Sequence, residues 1–129
     1  MPLVRVTMIK GKSADYIKKM SDSIYEALVE ASYIQKNDLF QIIEQVEPGD
    51  LIYDRHFGIN KGSRSGDFVI INIESDARRR SEKEALLTRL SDKLAASPGI
   101  ARDDVFVRLS MTSAWEDWSL GSGVAVSWS

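Results

Sequence analysis

The chain has 129 residues, 43% of them hydrophobic and 28% charged, with a formal net charge of −2, as expected for one globular domain over residues 1–129. Cysteine is absent and His56 is the only histidine, which excludes disulfides and argues against a histidine metal site or a Ser-His-Asp triad. The first residues show no charged segment followed by an apolar one, so we do not expect secretion. No apolar run approaches the roughly 20 residues of a membrane span, and the small net charge argues weakly against nucleic acid as the main partner. We therefore expect a cytoplasmic protein without metal or cofactor, membrane or nucleic-acid partner.

The first predicted element is a β-strand over Leu3–Ile9, and Pro2 stands directly before it. Removal of Met1 would leave the secondary amine of Pro2 as the first atom of the chain. An α-amino group has a pKa near about 7.7–8.0 in model peptides, much closer to neutrality than that of lysine. Held at a strand end, this nitrogen could act as general acid, general base or nucleophile. The alternative is that the Met-Pro start reflects only the trimming of Met1.

A helix and a second strand follow. Ser13 is a suitable N-cap, and apolar residues then recur at helical spacing, at Ile17, Met20, Ile24, Leu28 and Ala31. The second strand is predicted over Leu39–Val46. Asp38 precedes it and is either a turn or capping residue, as we expect for Asp104 later in the chain, or a carboxylate that activates water or orients the Pro2 nitrogen.

The next segment predicts a turn and a hairpin. Glu47–Asp50 contains Pro-Gly and is typical of a turn. Leu51–Tyr53 is predicted as a short strand and Phe57–Asp67 as a loop. A hairpin here could pair with the sheet edge of a neighbouring subunit.

The second half repeats the first at an offset of 66 residues, without a gap. Lys36–Phe40 aligns with Arg102–Phe106, and the apolar helix positions of the first half align with Leu86, Leu90 and Leu94. The repeated halves are roughly 2–46 and 68–110. The second half is predicted as strand Phe68–Ile73, helix Arg79–Ala95 and strand Val105–Leu109.

Two right-handed β-α-β units predict an α/β (α+β) fold, a four-stranded mixed sheet with both helices on one face, plus the hairpin. We expect neighbouring strands to place Pro2 and Phe68 at the same edge of this sheet. The face without helices is expected to be apolar and uncovered, which indicates an oligomer.

Three arginines, Arg78, Arg79 and Arg80, stand at the predicted start of the second helix. Cations at a helix N-terminus cost about 0.3–1 kcal/mol each when exposed. The run is therefore either a solvated surface balanced by nearby acids or an anion site, where guanidinium and free backbone N–H groups converge on a carboxylate. The tail after Thr112 carries Trp115, Trp118 and Trp128, which cover a core or an interface more often than they line a ligand site.

Together these features resemble the tautomerase superfamily (tautomerase/MIF-like fold), whose members begin with a catalytic proline, repeat a β-α-β unit and form trimers. Over nearly its full length the chain is most similar to the malonate semialdehyde decarboxylase branch. Four segments carry the similarity: Met1–Leu3, Asn37–Phe40, Pro48–Ile52 and Asp117–Gly121.

The resemblance implies roles for single residues. Pro2 matches the catalytic proline, Asp38 the water-activating aspartate, and Trp118 a pocket-wall aromatic, with Leu120 as a further substrate-binding residue of the same segment. The family's arginine opens a pattern of Gly-Arg, four residues, then Lys. Here Ala77-Arg78 is followed by Lys83, which singles out Arg78.

One departure concerns the substrate. A second arginine that some decarboxylases have two positions before the first is Asp76 in this chain. Either Arg79 or Arg80 contacts the substrate in its place, or the substrate differs.

The resemblance implies a homotrimeric enzyme for a small oxo acid whose carboxylate binds Arg78. A protonated Pro2 would polarise a 3-oxo group, or form an iminium there, so that carbon dioxide is lost, as in malonate semialdehyde decarboxylation. A neutral Pro2 would move a proton between carbon sites, as in phenylpyruvate tautomerisation. A non-enzymatic small-molecule-binding or assembly module is the remaining possibility.

Overall fold

The computed structural model describes residues 2–113, 116, 118–123 and 125–127. Single 3-10 turns occur at Pro48–Asp50 and Arg102–Asp104. The helices and strands are, in chain order, β1 (Leu3–Ile9), α1 (Ala14–Glu30), β2 (Gln41–Val46), β3 (Val69–Asp76), α2 (Arg80–Ala96), β4 (Val105–Thr112), β5 (Trp118–Leu120) and β6 (Ala125–Ser127). Across the described part of the chain, neither helix has the length and apolar character needed to cross a membrane.

The four long strands form one mixed sheet in the order β2-β1-β3-β4. β1 is parallel to β2 and β3 is parallel to β4, which confirms the two β-α-β units, whereas β1 and β3 are antiparallel. The expectation that Pro2 and Phe68 share a sheet edge is therefore wrong. Because the two units meet in opposite directions, Leu3 pairs with Glu74 and Met8 with Val69, so Pro2 lies where β3 ends.

Both helices pack on one face of the sheet, as the apolar spacing predicts. Ser13 caps α1, and its hydroxyl accepts from the backbone N–H of Tyr16 at 3.1 Å. The core combines the inward residues of the central strands with one stripe of each helix: Val4, Val6, Met8, Ile71, Ile73, Met20, Ile24, Leu28, Leu86, Leu90 and Leu94. Each of these side chains is at most 4% exposed.

No helix of the described residues lies over the opposite face of the sheet, but this face is not uniformly apolar. A polar row crosses it, because Arg5 pairs with Asn72 and Asn72 pairs with Arg108 in the sheet register. Arg5 also forms an ion pair with Glu44 of β2. Apolar residues such as Ile42 and Phe106, 39% and 43% exposed, flank this row. The expectation of an apolar face is therefore only partly correct.

The predicted strand over Leu51–Tyr53 does not form. The Tyr53 ring instead stacks on Phe68 at 4.2 Å between centroids, and its hydroxyl donates to the carbonyl of Ser65 at 2.6 Å. These contacts hold the segment against the protein as a loop. The hairpin of the molecule lies in the tail, where β5 and β6 are antiparallel.

Candidate active site

The end of α1 sets the position of the first site residues. The backbone N–H of Tyr33 donates to the carbonyl of Leu28 at 2.9 Å, and that of Ser32 donates to Val29 at 3.1 Å. This is the pair of bonds of a Schellman C-cap, whose turn requires a left-handed residue that is usually glycine. Ser32 holds that conformation here, at φ +62°. The cap turns the chain back so that Tyr33 packs into the core, where it is 2% exposed.

A second left-handed residue completes this connection. Asn37 has φ +74°, and its backbone N–H donates to the hydroxyl of Tyr25 at 2.9 Å. Within the described residues, Ser32 and Asn37 are the only non-glycine residues with positive φ. Such backbone costs about 1–3 kcal/mol and concentrates at functional sites. Ser32 and Asn37 mark the two ends of a short segment. Tyr33 follows directly after Ser32, and Asp38 follows directly after Asn37, so the two left-handed residues set the positions of both side chains.

Arg78 reaches the same region from the other half of the repeat. Its guanidinium lies over the Tyr33 ring, with Cζ 4.8 Å from the centroid, and Nη2 donates to the Tyr33 carbonyl at 2.7 Å. Nη1 forms an ion pair with Asp76, and the Arg78 side chain is only 12% exposed. Burial raises the pKa of the Tyr33 phenol, an effect that the nearby Arg78 charge partly opposes.

These residues line a cavity of about 620 Å³, here named the arginine cavity: Val29, Ser32, Tyr33, Ile34, Gln35, Asp38, Asp76 and Arg78. Three buried side-chain atoms in the described part of the chain have no hydrogen-bond partner, and all three belong to this lining: Tyr33 Oη, Asp38 Oδ1 and Arg78 Nε. Buried polar groups are rarely left unpaired, at about 1–3 kcal/mol each. Two donors and one acceptor without partners are a suitable lining for a polar ligand.

Pro2 lines an adjoining cavity of about 450 Å³, here named the proline cavity: Pro2, Leu3, Phe40, Glu74, Ser75, Ser110, Thr112 and Ser119. Both cavities lie at the end of β3, because consecutive residues line them, Ser75 the proline cavity and Asp76 the arginine cavity. On the β2 side of β1, the backbone N–H of Val4 donates to the carbonyl of Phe40 at 3.1 Å. Phe40 lies two residues after Asp38, so this bond places Asp38 near the start of β1. The fold thus brings Pro2, Asp38 and Arg78 to one edge of the sheet.

The charges at this edge are unequal. The two cavities are lined by three carboxylates, those of Asp38, Glu74 and Asp76, and by one guanidinium, that of Arg78. A protonated Pro2 nitrogen would be the second positive charge. Because nearby negative charge favours the protonated form of an amine, this lining favours a charged Pro2.

Arg79 and Arg80 lie outside both cavities. Arg79 is the N-cap of α2, and its backbone N–H donates to Oε1 of Glu82 at 2.9 Å. Arg80 pairs with Glu84 across one helical turn, with 90% of its side chain exposed. These two arginines therefore fit the solvated-run interpretation, while Arg78 alone fits the anion-site interpretation. Their proposed substrate-binding role stays a prediction.

Of the described tail segment, only part lines a cavity in the single chain. Ser119 of β5 lines the proline cavity, whereas Trp118 and Leu120, on the other side of the strand, are 63% and 67% exposed. Their role in substrate binding stays a prediction. Asp117, Trp115 and Trp128 lie outside the described residues.

Asp104, the repeat equivalent of Asp38, lies in a turn as expected, but its side chain holds a distant loop instead of capping the turn. Its carboxylate accepts from the backbone N–H and the hydroxyl of Ser65 at 2.7 and 2.6 Å, and it is 3% exposed. The equivalent oxygen of Asp38 has no such partner. The repeat has therefore kept a structural aspartate in one half and left an unpaired one at the candidate site in the other.

Tyr33, Glu74 and Ser75 are among the lining residues that sequence reasoning did not identify. Glu74 and Ser75 reach Pro2 only through the antiparallel register of β1 and β3, which periodicity does not reveal. One feature of the sequence could have indicated Tyr33: it comes just after the end of the first helix, and that helix end has no glycine for its C-cap.

Comparison with known proteins shows the family of this chain. Family models described as tautomerase enzymes match residues 38–121 and 2–59. Two proteins of Bacillus subtilis (strain 168), Probable tautomerase YusQ and Probable tautomerase YrdN, are 28% and 31% identical over 126 residues. Each match covers 97% of this chain, and it covers 97% of YusQ and 95% of YrdN.

Solved structures show the same relationship. A malonate semialdehyde decarboxylase has a TM-score of 0.85 at 31% identity over 95% of this chain and 92% of that one. The FG41 malonate semialdehyde decarboxylase inhibited by 3-bromopropiolate has a TM-score of 0.83 at 28% sequence identity, and the match covers 95% of this chain and 91% of that one. A fused 4-OT symmetric trimer shares the fold, with a TM-score of 0.75 at 19% sequence identity, and the match covers 97% of this chain and 94% of that one. The chain belongs to the tautomerase superfamily of enzymes, close to its malonate semialdehyde decarboxylase branch.

Proposed function

We propose that this protein is a Pro2-dependent decarboxylase of a small 3-oxo carboxylate, of the malonate semialdehyde type. The observation that carries the proposal is the excess of carboxylates over cations in the two adjoining cavities, which favours a protonated Pro2. The malonate semialdehyde decarboxylases among the solved structures, which match over 95% of the chain, support the same chemistry.

In this reaction Arg78 holds the substrate carboxylate and the protonated Pro2 nitrogen donates to the 3-oxo oxygen. The bond between the carboxyl carbon and C2 breaks and carbon dioxide leaves. The electron pair of that bond forms a double bond between C2 and C3 while the 3-oxo oxygen takes the Pro2 proton, which gives an enol. C2 is then protonated from solvent and the enol hydroxyl returns its proton to Pro2, which gives the aldehyde. Asp38 holds a water molecule or helps to keep the charge on Pro2.

A tautomerase is the second candidate. It is favoured by the two Bacillus relatives, both named as probable tautomerases. In that case a neutral Pro2 removes the hydroxyl proton of an enol substrate and delivers it to the carbon at the far end of the enol double bond, which gives the keto form. One experiment separates the two functions: proton NMR of malonate semialdehyde conversion beside ultraviolet decay of phenylenolpyruvate. Efficient enol tautomerisation with malonate semialdehyde untouched would contradict the decarboxylase.

We also propose that the protein is a homotrimer. The sheet face without helices carries exposed apolar residues beside its polar row, and Ile52 and Phe57 of the loop are 91% and 81% exposed. The fused 4-OT proteins that share the fold are described as trimers. Sedimentation equilibrium of the untagged protein tests the proposal, and a monomer at micromolar concentration would contradict it.

A further inference from the structure

We propose that Asp76 is a specificity-determining residue that restricts the site to substrates with at most one negative charge. This deepens the proposed function, since it takes the two adjoining cavities as the substrate site and names the charge class of the substrate. The observation behind it is the ion pair between Asp76 and Arg78 in the lining of the arginine cavity.

The guanidinium of Arg78 is largely committed within the chain. Nη1 faces the Asp76 carboxylate, with the carbonyls of Asp76 and Ala77 each at 3.4 Å, and Nη2 donates to the Tyr33 carbonyl at 2.7 Å. Nε is buried and has no partner. The positive charge of Arg78 is therefore already balanced by Asp76 before a substrate carboxylate binds. The Nε–H group of Arg78 is the buried donor that still lacks a partner.

The remaining charges act in the same direction. With Arg78 balanced by Asp76, Asp38 and Glu74 are left in the lining of the two cavities, against the amine of Pro2. A carboxylate group held by Nε–H gains a charge-assisted hydrogen bond. A second carboxylate on the same ligand would face these two acids with the amine of Pro2 as the one remaining cation among the described lining residues, so the net effect on it is repulsion. Monocarboxylates with a neutral oxo group fit this arrangement, and dicarboxylates do not.

Equilibrium binding measures this discrimination without turnover. The probes are 3-hydroxypropanoate, which carries one charge, and malonate at slightly alkaline pH, which carries two, titrated calorimetrically at low ionic strength. The variant is Asp76→Asn, which removes the charge and keeps the shape. Because a dianion feels twice the charge effect of a monoanion, the gain for malonate should be about the square of the gain for 3-hydroxypropanoate.

We expect Asp76→Asn to bind malonate about tenfold more tightly and 3-hydroxypropanoate about threefold more tightly than the wild type. Glu84→Gln is the matched control, since it removes the same charge from the exposed partner of Arg80, and it should change neither affinity by more than about twofold. In Asp76→Asn, a further Arg78→Ala change should abolish the gain for both anions.

Equal gains for the two anions, no gain, or no measurable binding to Asp76→Asn would overturn the inference. The proposed function fails separately, if the wild type releases no carbon dioxide from a 3-oxo acid while the charge discrimination in binding is intact. A wild type that decarboxylates but shows no discrimination would leave the function standing and contradict the role of Asp76.

Discussion

Arg78 and Tyr33 contact each other twice: the guanidinium lies over the ring, 4.8 Å from its centroid, and Nη2 donates to the backbone carbonyl at 2.7 Å. The ring fixes the plane of the guanidinium and the carbonyl fixes its direction. Tyr33 is itself held by the C-cap of α1, through its N–H bond to Leu28. The cation proposed to bind substrate is thus positioned by the helix end of the other repeat.

The hydroxyl of Tyr33 is buried without a partner, and we predict that Tyr33→Phe stabilises the protein. Removal of an unsatisfied buried hydroxyl should raise the free energy of unfolding by about 1–2 kcal/mol. Tyr25→Phe is the matched control, because the Tyr25 hydroxyl accepts from Asn37, and it should lower stability by about 1 kcal/mol. Urea unfolding of both variants checks this, and a destabilised Tyr33→Phe would contradict it.

The same variant has a defined pH dependence. Burial raises the pKa of Tyr33 above its ordinary value of 10.0, so the folded state keeps this proton after the unfolded state has lost it. The contribution of Tyr33 to stability is therefore intact below about pH 10 and falls as the pH rises further. The advantage of Tyr33→Phe should grow in that range. The pKa of Tyr16 is raised in the same direction, so some alkaline loss will remain.

The fold could be predicted from local patterns because burial and periodicity are local. The stripe at Met20, Ile24 and Leu28 and its repeat in α2 named the buried helix positions correctly. The relative direction of β1 and β3 could not be predicted, since a strand's own sequence does not state how it pairs. That single unknown moved Pro2 from Phe68 to the end of β3, beside Glu74 and Ser75.

The site was predictable only in part for the same reason. Arg78 was singled out from its two neighbours by the family pattern, and the structure separates it from them by burial. Its pairing with Asp76 depends on the backbone and side-chain geometry just beyond the last residue of β3, where the strand alternation no longer applies. Nothing in the order of the residues states whether such a pair forms or stays solvated.

We predict that Pro2→Ala abolishes turnover of the oxo acid while the fold stays intact. The alanine keeps a primary amine but loses the geometry of the ring and the iminium reactivity of a secondary amine. Mass spectrometry must first show that Met1 is removed, and circular dichroism that the fold is kept. Activity of the variant within a few-fold of the wild type would refute a catalytic Pro2.

Arg78→Ala should reduce activity far more than Arg79→Ala or Arg80→Ala. A charge-assisted contact to a carboxylate contributes about 1.5–3 kcal/mol, so kcat/KM should fall by about 10- to 100-fold. The other two arginines lie outside both cavities and should each change kcat/KM by about twofold or less. Steady-state kinetics of the three variants gives the comparison, and small, equal effects at all three positions would favour a solvated run.

The two proposed chemistries predict opposite results for Asp38→Asn. The carboxylate of Asp38 lines the arginine cavity with one buried oxygen unpaired, so the change removes negative charge without altering shape. In a decarboxylase it should lower carbon dioxide release by about tenfold or more, because the neutral form of Pro2 gains and the bound water is lost. In a tautomerase it should be mild or even raise activity, because neutral Pro2 is then the base.

Both assays are therefore run on wild type and Asp38→Asn side by side. Asp67→Asn is a suitable control, since this aspartate pairs with Lys12 and lines neither cavity, and it should leave both activities within about twofold. A selective loss of malonate semialdehyde conversion, with phenylenolpyruvate decay kept or raised, is the expected result. Malonate semialdehyde conversion by Asp38→Asn within about twofold of the wild type would contradict the assignment, because the reaction would then not need the carboxylate that favours a protonated proline.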